Sequence, residues 1–566
     1  MSRGIVKWVT TTFRQLQQQI QPSRIMAEAS NVGASPAPPV KLTGRAFYES
    51  IGSPKMIVAP MVDRSEFAWR LLTRSYLDEE RSKSLLAYTP MFHARMFSET
   101  QRFREEFFQP TRSGLASKEK STSPPWRDGN PALDRPLFVQ FCANKPEELL
   151  DAAQYVAPYC DAVDLNLGCP QGIAKAGHYG AFLQEDWDTI YKLINTLHKD
   201  LSVPVTAKMR ILETREKTLE YAKMILSAGA SILTVHGRRR EQKGHYTGLA
   251  DWSVIRYLRD NLPPETVIFA NGNILNADDI DACLAATGAD GVMSAEGNLS
   301  DPTIFAKPPK EYNPREYWYG PDGKGGYRVD AVFRRYLDII YKYCLEKDPP
   351  TRQPLYIPGD PEPEVDPKLS ERPDQAQEDE PRRNKKRKRN DHGKPNPNLK
   401  PMQGHLFSLL RHLLAKHTDI RDVLARVTVG DLATFERILS MVEAAVRKGL
   451  QEEAAAAERA ASQPGEDASP AVGADVPEAE LTPKQKTEAK YKRPWWVCQP
   501  YIRLLPEEAI KNGSLHLSKK AMAKMALEKK TETTGDPIQR TDSSVTVPNT
   551  SEPTSGDLPK PALVCG

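Results

Sequence analysis

The segment NLGCP, residues 166–170, sets a cysteine between a glycine and a proline directly after an apolar run. At its ordinary pKa of about 8.5 a thiol is mostly protonated at neutral pH and can deliver a proton as a general acid. With its pKa lowered by a nearby cation, Cys169 would be a nucleophile; buried, it would only fill space. Other apolar runs end in similar chemistry, at Gln140, Lys208, His236 and Asn271. Lys208 could place a cation beside an electron-rich ring, and His236 could donate to a carbonyl or hold a phosphate. Each has a plainer reading alone, as a snorkelling lysine or a structural histidine. The turns NGN (271–273) and SAEGN (294–298) would let backbone amides approach a phosphate.

These residues need a scaffold that brings strand ends together. The apolar runs are MIVAPM (56–61), LAYTPM (86–91), LFVQF (137–141), AVDLNL (162–167), PVTAKM (204–209), ILTVHG (232–237), VIFANG (267–272) and GVMSAE (291–296). Nearly continuous apolar character marks parallel strands covered on both faces. Helical patterning fills the gaps, as at Leu149, Ala152, Ala153 and Val156. Eight such units in about 250 residues predict an α/β fold, a closed (β/α)8 TIM barrel with its site at the carboxyl ends of the strands. An open, doubly wound sheet would leave the eightfold count unexplained.

The barrel is assigned to residues 50–310, with the Ser-, Lys-, Pro- and Gly-rich stretch 111–135 inserted as a surface loop. Residues 329–345 and 402–450 predict a small C-terminal helical domain, with Leu406, Leu409, Leu410, Leu413 and Leu414 as its apolar stripe. Between them, the Pro-rich, charged stretch 350–401 reads as a disordered linker. Residues 451–483 read as a flexible Ala/Glu-rich linker, 484–510 as a basic-aromatic segment and 530–566 as a disordered tail. Residues 1–45 read as a disordered or transit-like extension. There Ile5, Val9, Phe13, Leu16 and Ile20 recur at helical spacing, and no acidic residue precedes Glu28.

Composition narrows the class further. A net charge of +4 over 566 residues does not mark a nucleic-acid binder, so local charge is the better guide. Seven cysteines without a CxxC pair show neither zinc spacing nor a disulfide framework, which fits a reducing compartment and predicts no metal. No apolar run approaches the ~20 residues that span a bilayer, so no membrane association is expected.

The segments APMVDRSEFAWR (59–70), VQFCAN, DLNLGCPQGIAKAGHYGAFL, AKMR, TVHGRRREQKGHYTGLADW, NGNI and VMSAEGNL, in this order, resemble the tRNA-dihydrouridine synthase family. GHYGAFL, MSAEGNL and CQPYIR (498–503) are similar to its eukaryotic branch acting on D-loop uridines sixteen and seventeen. The resemblance implies an FMN enzyme that uses NADPH or NADH to reduce uridine in tRNA to 5,6-dihydrouridine. It implies Cys169 as the acid that protonates uracil C5 while a hydride reaches C6. Ala59, Pro60, Met61 and Gln140 would meet the flavin ring, joined by Lys208 and His236. Asn271, Gly272, Asn273, Glu296 and Gly297 would surround the phosphate, and Asn166 and Arg210 would contact the uracil. Many family members carry Gly-Arg where this chain has Glu296-Gly297, a departure that leaves the backbone contact but puts the side-chain contact in doubt.

Two other functions compete: a flavin barrel acting on a free pyrimidine, like dihydroorotate dehydrogenase, and a noncatalytic RNA-binding barrel. The basic helical appendage argues against the first, Cys169 and Lys208 against the second. Arg411, Lys416, Arg421, Arg426 and KQKTEAKYKRPWW (484–496) are the candidates to grip tRNA, through phosphates and stacking. The cluster RRNKKRKR (382–389) is a nuclear-import candidate. A monomer in the nucleus or cytoplasm is expected, with mitochondrial targeting as the alternative reading of the amino terminus.

Overall fold

The computed structural model describes residues 41–320, 325–361, 396–462, 487 and 490–503. The transit-like pattern, the cluster 382–389 and the tail 530–566 lie outside the described residues.

All eight anticipated runs form strands: β1 (Met56–Val58), β2 (Leu85–Tyr88), β3 (Leu137–Cys142), β4 (Ala162–Leu167), β5 (Val205–Arg210), β6 (Leu233–His236), β7 (Ile268–Asn271) and β8 (Gly291–Ser294). They are parallel neighbours around a ring that closes where β2 pairs with β3, Ala87 opposite Leu137. The chain is a (β/α)8 barrel. Several strands are shorter than their apolar runs because a proline such as Pro60 or Pro90 cannot donate to a ladder. A two-residue strand, Phe92–His93, pairs beside β3 and was too short to register as a periodicity.

The barrel interior is partly polar. Tyr88 on β2 reaches Thr234 on β6 at 3.5 Å, a contact that must cross the interior. Beside it Thr206 donates to buried Asp164 at 2.6 Å. Burial pushes this carboxyl up to about 6, although bonds from Thr206 and Gln140 and the charge of Lys208 oppose the rise.

The predicted leucine stripe is buried, in helices Met402–Leu409 and Arg411–Lys416 and the turn between them. Helices Val329–Ile339, Thr418–Arg426 and Leu432–Ser462 complete the helical domain. It sits on helix Phe67–Arg74, the first element after β1. His405 stacks on Trp69 at 3.9 Å and donates through Nε2 to Glu66 at 3.1 Å. The Ala68 amide donates to Asn398 at 2.9 Å.

Three boundaries differ from expectation. Helix Leu432–Ser462 runs through the first part of the supposed flexible linker, because alanine and glutamate are strong helix formers. The two ends of the supposed disordered stretch 350–401 are built into the domain: Arg352 pairs with Asp338 at 2.5 Å and Glu436 at 2.8 Å, and Asn398 is buried. Helix Gly44–Ser50 begins inside the supposed amino-terminal extension and is tied to the barrel by Arg45 and Asp290 at 2.6 Å. The inserted loop 111–135 is a loop as expected, and it is pinned where Asp128 and Asp134 are buried against Arg70.

Candidate active site

Strand register sets the polar residues side by side. Asn166 lies opposite Lys208, Arg210 opposite His236, and His236 opposite Asn271. On the β1 side, Ala59, Pro60 and Met61 are buried, and the Ala59 amide donates to the Ser294 carbonyl at 3.0 Å. This contact brings the end of β1 beside the β8 turn that carries Glu296 and Gly297.

A relay of hydrogen bonds leads from the barrel floor to the cysteine. Gln140 donates to Asp164 at 2.8 Å, and Asn166 donates to the Gln140 oxygen at 2.9 Å. The Asn166 oxygen then accepts from the amides of Gly168, at 3.1 Å, and Cys169, at 2.9 Å. Because backbone amides only donate, the orientation of both carboxamides is fixed. Arg210 donates Nε to the Gly168 carbonyl at 2.8 Å and Nη1 to the Arg239 carbonyl at 3.0 Å. Asn166 and Arg210, expected at a substrate ring, bond the turn that carries Cys169.

The thiol itself is covered rather than open at the mouth. Cys169 is only 1% exposed and packs with Cys142, Ala174 and Tyr179 under the segment that follows it. Gly180, at φ +63°, lets that segment fold back, since a Cβ there would stand 2.9 Å from the Cys169 carbonyl oxygen. From the β6 side, Lys243 donates to the Pro170 carbonyl at 2.7 Å, and Arg240 pairs with Glu185 at 2.6 Å. The loop after β6 thus clasps the loop over the cysteine.

The mouth beside the ends of β6 and β7 is cationic. Arg238 donates to His236 Nε2 at 2.9 Å, to the Asn273 oxygen at 2.6 Å and to the Gly248 carbonyl at 3.0 Å. A guanidinium only donates, so His236 Nε2 accepts and its proton sits on Nδ1. Burial, then the charges of Arg210, Lys208, Arg238 and Arg503, push His236 well below its usual range, so the ring is neutral. Burial also lowers Arg238 to about 9 and Arg503 to about 10. Crowded cations of this kind favour an anion among them. The buried Asn271 oxygen has no partner among the described residues, which leaves an acceptor for a ligand hydroxyl.

Two turns approach closely enough to form a cradle. Gly272 stands at φ +107°, and a Cβ there would be 2.6 Å from that of Ala250 and 3.0 Å from the His236 ring. A Cβ on Gly297 would be 2.4 Å from the Ile274 carbonyl oxygen. Gly272→Ala is expected to cost about 2–4 kcal/mol from left-handed strain plus overpacking. Chemical denaturation measures it; a loss below about 0.5 kcal/mol, the scale of an ordinary surface change, would contradict the cradle.

Sequence reading missed Arg238, Asp164 and Arg503. Arg238 follows His236 by two residues, and Asp164 precedes Asn166 by two, so strand alternation was the available signal. Arg503 ends the CQPYIR motif, but only the fold brings it to the barrel. The basic-aromatic segment is also corrected in part: Trp496 is buried, and Tyr491 donates to Asn276 at 2.9 Å. Of its 484–496 stretch, the described residues strap the helical domain to the barrel. Arg411, Lys416, Arg421 and Arg426 are exposed, as expected.

A family model described as "Dihydrouridine synthase (Dus)" matches residues 57–343. The chain is 44% identical over 467 residues to the tRNA-dihydrouridine(16/17) synthase of Schizosaccharomyces pombe, across 82% of this chain and 92% of the relative. It is 44% identical over 483 residues to the same-named protein of Saccharomyces cerevisiae, across 84% of this chain and 90% of the relative. A mouse protein named as tRNA-dihydrouridine(16/17) synthase-like is 35% identical over 485 residues, 85% of this chain and 75% of its own length.

Proposed function

Because the chain belongs to the dihydrouridine synthase family, we propose that it reduces uridine to 5,6-dihydrouridine in tRNA, with FMN as cofactor and NAD(P)H as reductant. The D-loop positions 16 and 17, carried by the names of its yeast relatives, are the proposed targets. One observation carries the reading: a single barrel mouth joins a positioned cysteine on β4 to a cationic, glycine-lined cradle on β6, β7 and β8.

The residues present fit the cofactor. Asn271 would offer its unpaired oxygen to a ribityl hydroxyl, and the turns of Gly272, Asn273 and Gly297, packed against Ala250 and Ile274, would set backbone amides beside the phosphate. Ala59, Pro60 and Met61 would line one edge of the ring, Gln140 and Lys208 the other, and neutral His236 a further polar contact. FMN, when bound, supplies the hydride that NAD(P)H provides and uridine C6 receives.

Cys169 would then protonate C5 as a general acid. Asn166 and Arg210 hold the cysteine's turn, and their contact with uracil is not needed for that role. For the thiol to meet a base, helix Gly172–Ala176 and Tyr179 must move off it. The uridine must leave its stack to enter, as for other enzymes that act on a base within folded nucleic acid. The exposed Arg411, Lys416, Arg421 and Arg426 would take phosphates by counterion release.

The test is to map dihydrouridine in tRNA from cells lacking this protein. Loss at positions 16 and 17, restored by the intact chain, is the expected result. Full modification there in its absence would overturn the positional reading.

A further inference from the structure

We propose that Arg503 is a direct ligand of the cofactor phosphate, supplied by the last described segment in place of a cation that the β8 turn lacks. The proposal rests on the reading that the barrel holds FMN. The β8 turn carries Glu296-Gly297, so its own side chain brings negative charge toward the cradle. Arg503 comes from more than two hundred residues downstream and lies against the Glu296 carboxylate.

The segment is anchored well enough to aim the side chain. The Tyr501 amide donates to the Leu275 carbonyl at 3.1 Å, just beyond the β7 turn, and the Cys498 amide donates to the Tyr327 carbonyl at 2.8 Å. Val497 and Cys498 are fully buried. The Arg503 guanidinium lies 5.0 Å from the centre of the Tyr501 ring.

Its donors are incompletely used. The side chain is only 10% exposed, and its Nε is buried without a hydrogen-bond partner among the described residues. A buried, unpaired guanidinium donor is costly unless a ligand completes it. Arg238 stands in contrast: it is nearby but spends its donors on His236, Asn273 and the 247–248 carbonyls. Arg238 is therefore a positioning residue, while Arg503 keeps a donor to offer. Glu296 alone does not balance Arg503, Arg238 and Lys208, so a phosphate monoester dianion complements the site.

The experiment strips the full-length protein of flavin and titrates it with FMN and with riboflavin, which lacks the phosphate. Arg503→Ala is expected to weaken FMN binding about 10- to 100-fold, the scale of one charge-assisted bond, and to leave riboflavin binding nearly unchanged. Arg503→Lys should recover part of the loss. If Arg503 served only to neutralise Glu296, the double variant Glu296→Gln/Arg503→Ala would regain FMN affinity; the proposal expects the defect to persist. Unchanged FMN binding, equal loss of both ligands, or rescue in the double variant would each overturn it. Should Arg503→Ala not fold, Arg503→Gln is judged by the same ratio. Failure of the wild-type chain to bind FMN would instead remove the cofactor reading beneath the proposal.

Discussion

Cys169→Ala is expected to slow uridine reduction in tRNA by about 100- to 10,000-fold, the range a positioned general acid contributes. FMN content and its bleaching by NADPH should be unchanged. The separation follows from geometry: the cysteine's turn hangs from Asn166 and Arg210, whereas the anion cradle is built from Arg238, Asn273 and Gly272. Removing one sulfur leaves the Asn166 oxygen still bound to the same backbone amides. The neighbouring Cys142 is a poor substitute, because burial pushes its thiol up to about 12 and a weaker acid donates more slowly. Rapid-quench assays with unmodified tRNA measure the effect. Undiminished turnover would remove Cys169 from the chemistry.

The second large effect concerns the frame. Arg70 is fully buried; it donates Nε to Asp134 at 2.9 Å, Nη2 to Asp128 at 2.8 Å and Nη1 to the Ser65 carbonyl at 2.7 Å. The two carboxylates also cap the Gly129 and Gln109 amides, at 2.9 Å and 2.7 Å. Arg70→Met keeps the packing but leaves two buried carboxylates without their cation. Breaking a buried pair in this way costs about 3–5 kcal/mol. Denaturant unfolding should show that loss, and pairing the change with Asp134→Asn should return part of it. A cost under about 1 kcal/mol, typical of an exposed pair, would mean the network does not hold the inserted loop.

Much of this was legible in the residues. Eight apolar runs gave eight strands, because parallel strands covered on both faces need continuous apolar sequence. Gln140, Lys208, His236 and Asn271 stood out as polar endings to such runs; the register sets His236 beside Asn271, and Asn166, opposite Lys208, bonds Gln140. Contacts made by distant segments were hidden. Nothing local in CQPYIR says that Arg503 returns to the barrel, and nothing in the Trp495-Trp496 pair distinguishes an RNA platform from a strap. The hold of Asn166 and Arg210 on the cysteine's turn was hidden, because their partners there are backbone groups that sequence does not display. The covered state of Cys169 was equally illegible, since it depends on how residues 170–180 fold back over the turn.

The most direct test is to bleach the FMN-loaded protein with one equivalent of NADPH without oxygen, and then add unmodified tRNA. The flavin absorbance should return as tRNA is added, with one dihydrouridine formed per flavin. Colour that stays bleached in the presence of tRNA, or returns without dihydrouridine, would contradict uridine reduction as the work of this barrel.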